Sequence, residues 1–78
     1  MSDSNEIMAL KASVRGALAT GDTLSTLASS IDALDPRDEV SAAGLEEIAR
    51  VTLAHAVAAQ ALRGLVNSML TRRGVTAA

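Results

Sequence analysis

Phenylalanine, tyrosine and tryptophan are all missing from these 78 residues. Aromatic rings are the large buried anchors on which most ligand pockets, single-strand nucleic-acid platforms and interface hot spots depend. Those functions therefore lose their usual means of support. Cysteine is missing as well, which excludes disulfides and thiolate metal sites. Proline occurs once, at Pro36, so nothing else in the chain is barred from helix by a missing N–H. The charge is slight, with nine acids, seven bases and a net −2, and the basic footprint of non-specific nucleic-acid binding is not there. Long uncharged apolar runs are lacking too. The most apolar stretch, Val51 to Leu70, is interrupted by His55, Gln60, Arg63 and Asn67, which argues against a membrane span. Residues Met1 to Glu6 are acidic and polar where a secretory signal would be basic and then apolar, so a soluble, cytoplasmic protein is expected.

What is present is aliphatic. Half of the chain is apolar, mostly Ala, Leu, Val and Ile at helical spacing. One domain fits this length. A chain so short buries about 60% of the surface its unfolded form exposes, and without rings each core residue contributes less. With no covalent or metal staple, association with another chain is the expected way to add buried area.

The pattern reads as two helical arms. Asp3 can cap the first, with Glu6 three positions on to complete a capping box. Apolar or small residues then fall at Ile7, Leu10, Val14, Ala17, Gly21, Leu24, Ala28 and Ile31, a heptad seam of the coiled-coil kind. Gly21 permits two readings: one continuous helix, or a break with Asp22 capping a second helix. Asp35-Pro36-Arg37-Asp38 is the strongest local signal, because Pro36 pushes its predecessor out of the helical region and suits a following first turn. The first helix should end near Leu34, and the next should begin at Pro36, with Asp35 as its N-cap, or, after a short irregular step, at Ser41. The second arm carries a seam at Ile48, Val51, His55, Ala58, Leu62, Leu65 and Met69. Beside it runs another stripe: Leu45, Ala49, Thr52, Ala56, Ala59, Val66 and Leu70. Glu46, Glu47, Arg50, Gln60, Gly64, Asn67 and Thr71 mark the wet side, with Glu46 and Arg50 spaced for an ion pair. Arg72 and Arg73 suit a helix C-terminus, and Gly74 can stop the helix. Ala54, Ala58, Ala61 and Gly64 are small enough to let another helix approach closely.

The expected fold is all-α: an antiparallel helical hairpin, with helices over about 4–34 and 41–71, a turn at 35–40 and a tail at 72–78. A break at Gly21 would make it three helices. Two apolar stripes on the second arm are more than one partner helix covers, so the hairpin is expected to associate into a bundle. The interface residues expected are Leu45, Ile48, Thr52, His55, Ala56, Ala59, Leu62, Leu65, Val66 and Met69.

Signs of chemistry are few. His55 is the single histidine, and its neighbours at three and four residues, Val51, Thr52, Ala58 and Ala59, include no carboxylate to complete a ligand pair. A seam histidine satisfied by Thr52, by a backbone carbonyl or by a partner chain is the plainer reading. The carboxylates lie at turns and helix starts, with no shared pocket for paired acid–base work. There is no Gly-x-Ser-x-Gly elbow and no phosphate loop. Residues Leu24 to Leu34 hold no Arg, Lys, Gln or Asn to reach base edges, which removes a helix-turn-helix reader at Gly21. No catalytic, cofactor-binding or metal-binding residue is assigned, no cofactor is expected, and no small-molecule substrate is indicated.

Ala56-Val57-Ala58-Ala59-Gln60 and then Thr71-Arg72-Arg73-Gly74-Val75 resemble the C-terminal part of the RebB-type structural proteins of bacterial R bodies. The likeness departs at Ala61-Leu62-Arg63, where a glutamine run would continue. Asp38-Glu39-Val40-Ser41-Ala42, ahead of a long Ala-rich helix, is similar to the helical-hairpin PE proteins of mycobacterial secretion, without their tyrosine signal. The first resemblance implies a small self-assembling helical protein, and both imply helix packing without catalysis. Three functions are thus carried forward. One is a non-catalytic, self-associating protein with a structural or assembly role. Another is a helical adaptor or regulatory subunit that offers its apolar face to a different protein. The last is a bundle that binds a metal or cofactor through His55 of two chains.

Overall fold

The computed structural model describes residues 2–75, with side chains from Asn5 onward. Two helices make up the fold: α1 spans Ser2–Asp32 and α2 spans Ala42–Arg72. They lie antiparallel as a hairpin of 55 × 23 × 18 Å, and its radius of gyration is 17.1 Å. A compact globule of this length would measure about 11.5 Å, so the molecule is a rod.

α1 is continuous through Gly21, and the three-helix alternative is not adopted. Hydroxyls along this arm turn back onto carbonyls one turn earlier: Thr20 to Gly16, Thr23 to Ala19, Thr26 to Asp22, Ser29 to Ser25 and Ser30 to Thr26. Residues that often compete with a helix here bond within it. The expected cap at Asp3 concerns a side chain outside the described residues. Glu6 does not complete a capping box, since its carboxylate reaches across to Arg72 and Arg73 of α2.

The Pro36 segment forms a turn and does not start a helix. The Asp38 amide donates to the Asp35 carbonyl at 2.8 Å, and the Arg37 amide donates to Asp35 Oδ1 at 2.9 Å. Asp35 therefore caps this turn. α2 begins after the irregular step: the Gly44 amide donates to Ser41 Oγ at 3.1 Å, the expected N-cap bond. At the other end Gly74 adopts φ +79°. The Gly74 amide bonds the Thr71 carbonyl and the Val75 amide bonds the Leu70 carbonyl, which together form a Schellman stop.

The seam of α2 falls where its periodicity places it. Ile48, Val51, His55, Ala58, Leu62, Leu65 and Met69 are all covered or half-covered. The seam of α1 is rotated from the expected one. The inward positions are Glu6, Leu10, Ser13, Ala17, Thr20, Gly21, Leu24 and Leu27, while Ile7, Val14, Ala28 and Ile31 are exposed. Leu10, Ala17, Gly21 and Leu24 are common to both seams. The alternate layers differ because Glu6 and Thr20 find polar partners on α2, and those bonds hold the polar edge of α1 inward. Val51, 5% exposed, is the only buried residue among the described ones.

Candidate functional site

Two polar crossings fix the register of the arms. At mid-rod, Thr20 Oγ1 and His55 Nδ1 lie 2.9 Å apart. A hydroxyl has one proton; when it is given to the Gly16 carbonyl, at 3.0 Å, an oxygen lone pair faces Nδ1–H. His55 is thus satisfied across the hairpin, by a residue that spacing along α2 does not reveal. Its ring packs over Gly21, where an added Cβ would meet Cε1 at 3.5 Å, an ordinary contact. The second crossing is at the open end. Arg73 donates to Glu6 Oε1 at 2.9 Å, and Arg72 pairs with Oε2. The Glu6 side chain is only 12% exposed. The hydrogen bond from Arg73, with both guanidinium charges beside it, holds the Glu6 carboxyl below the ordinary glutamate value against the opposing pull of burial. Arg50 pairs with Glu47 and not with the expected Glu46.

The ten expected interface residues divide evenly. Ile48, His55, Leu62, Leu65 and Met69 face α1 inside the hairpin, whereas Leu45, Thr52, Ala56, Ala59 and Val66 are exposed. Leu45 is 56% exposed and Val66 36%. Of the remaining second-stripe residues, Ala49 is exposed and Leu70 half-covered; Asn67, expected on the wet side, is also half-covered. Of the four small residues, Ala58 takes the seam, while Ala54, Ala61 and Gly64 stay exposed.

α1 adds to this surface with residues that its sequence pattern assigned elsewhere. Ile7 and Val14 leave the seam for its flank, and Leu18, 62% exposed, continues their line. A helix turns about 100° per residue. On both helices the apolar flank is reached by turning in the same sense from the seam. Because the helices run in opposite directions, equal turns bring both flanks to one side of the rod. A groove lined by Leu10, Val66, Met69 and Leu70, with Arg73 at the open pole, marks that side. The opposite side is mixed: Thr20, Thr23, Arg50, Val51 and Ala54 line one groove, and Thr26, Leu27, Ser30 and Glu47 join Thr23 and Val51 around the next. The hairpin thus has a flank of larger aliphatics and a side with more hydroxyls, while Met8, Leu53 and Val57 are exposed outside that flank.

Charge is divided along the rod. The open half, residues 2–21 and 57–75, holds two acids and five bases, a net +3; the loop half, residues 22–56, holds seven acids and two bases, a net −5. The rod exposes 5956 Å², whereas a folded monomer of this mass exposes about 4,450 Å². Among the described residues no group of three or more His, Asp or Glu side chains is placed to hold a metal ion, and no helix is long and apolar enough to cross a membrane. No family model matches this chain, and neither a curated protein nor a solved structure matches it.

Proposed function

We propose that this chain is a non-catalytic, self-associating helical protein whose role is structural or one of assembly. The observation that carries the reading is the aliphatic flank, built from both arms, crossed by Lys11 and Arg63, and left open beside a seam with one buried residue. A soluble monomer seldom keeps a large contiguous apolar face without an interaction to serve. The likeness to self-assembling R-body proteins agrees with this role. The half-covered polar groups support it as well: His55 and Glu6 are taken up in holding the arms in register, which gives them a structural task.

Sedimentation equilibrium across the micromolar range tests the proposal. The expected result is a mass that rises with concentration to at least twice that of the chain while the helical circular dichroism signal persists. A folded monomer at every concentration overturns it.

A further inference from the structure

The occupant of the aliphatic flank can be argued further, on the basis of the self-association just proposed. We infer that it is a second copy of this chain, laid face to face with its loop pole beside the first copy's open pole. The product is a two-fold, four-helix arrangement.

Area is the first argument. The rod exposes about 1,500 Å² more than a compact monomer of its mass. A standard specific interface covers about 800 Å² on each partner, so a whole second rod matches the excess better than a short peptide does.

Charge is the second. With open pole against loop pole, each +3 half meets a −5 half, twice over. With like poles together, +3 lies on +3 and −5 on −5, which steers copies apart and costs affinity. Lys11 and Asp32 show the match in detail. The Thr20–His55 bond sets the rod's midpoint near Thr20. Lys11 lies nine residues before that level and Asp32 twelve after it, so opposed copies bring Lys11 of each within about one turn of Asp32 of the other.

Side-chain size is the third. The two-fold axis that opposes the poles also sets α2 on the partner's α2, running the other way. Levels that pair are then equally distant from the middle of the stripe. Leu45 and Val66 are eleven residues before and ten after Ala56, and Thr52 and Ala59 are four before and three after. Large therefore meets large at both ends. Small meets small at the centre, where Ala56 approaches its own copy and the helices can come closest; between centre and ends the long side chain of Arg63, seven after Ala56, lies over Ala49, seven before it.

The absence of cysteine makes the test direct. Leu45→Cys, Ala56→Cys and Val66→Cys are each made singly, at exposed positions that the fold tolerates, and helicity is checked by circular dichroism. A short bis-maleimide is then added at concentrations where the chain is dimeric. Ala56→Cys is expected to cross-link to itself. Leu45→Cys and Val66→Cys alone stay uncoupled, because their like thiols lie about 30 Å apart, yet they cross-link to each other when mixed. Self-coupling of Leu45→Cys or of Val66→Cys, with no mixed product, overturns the arrangement and leaves self-association standing. A chain that stays monomeric and captures no second copy overturns both. Salt gives an independent reading. Raising it from about 0.05 M to about 1 M should weaken the opposed dimer by about three- to tenfold; tighter association at high salt would mean that like poles lie together.

Discussion

Glu6 is a polar residue at a seam position, and its environment accounts for that. Two arginines from the far end of the chain close over it, and their charge keeps its carboxyl ionised. The folded-state pKa is lowered, so the stabilisation is fully present above the unfolded value, about 4.3, and is lost as pH falls through the lower folded value. The wild-type chain should melt above Glu6→Gln near neutral pH, with the gap closing in strong acid. Melting curves of both proteins across that range check this, and a gap that persists at roughly pH 2 would assign the difference to packing. Thr20 and His55 are likewise tied to each other. A double-mutant cycle of Thr20→Val and His55→Ala should return a coupling of about 0.5–1.5 kcal/mol, typical of one partly buried hydrogen bond. A value near zero would mean that each side chain holds its place independently.

The two helices differ in how far their packing is legible in sequence. On α2 the apolar periodicity and the actual seam coincide, because Ile48, Val51, Leu62, Leu65 and Met69 outweigh every competing phase. On α1 the apolar count favours a line through Ile7 and Val14, while the folded arm turns Glu6, Ser13 and Thr20 inward. Periodicity weighs each residue by its own hydropathy and is blind to a partner 35 or 67 positions away, which is what Thr20 and Glu6 each have. The same blindness hid Leu18 and the α1 half of the aliphatic flank. Helix ends were more legible: Ser41 and Gly74 act through local bonds, and both lie where their residue types suggest. Gly21 was ambiguous because a helix-interior glycine and a helix-ending one look alike without the neighbour. Its helical setting predicts the effect of filling it. Gly21→Ala should stabilise the fold by about 0.5–1 kcal/mol, since the added methyl meets His55 only at ordinary contact distance. Urea denaturation measures the change, and a loss of stability would show that the His55 ring has no room to yield.

As a whole the molecule is a thin rod with little interior, so its stability depends on what covers it. Val51 at 5% exposure is all the buried core among the described residues. If association supplies the rest, the melting temperature should climb by several degrees with each tenfold rise in chain concentration, since an assembly that holds only folded chains stabilises them by mass action. Scanning calorimetry at three concentrations checks this; a concentration-independent midpoint would mean that the hairpin stands alone.

The turned-back hydroxyls of α1 also change how water meets the rod. From Thr20 to Ser30 five of them spend their proton on their own helix. Water that reaches these oxygens can therefore donate to them but is offered no proton in return, so along this run the arm takes hydrogen bonds from solvent without giving any.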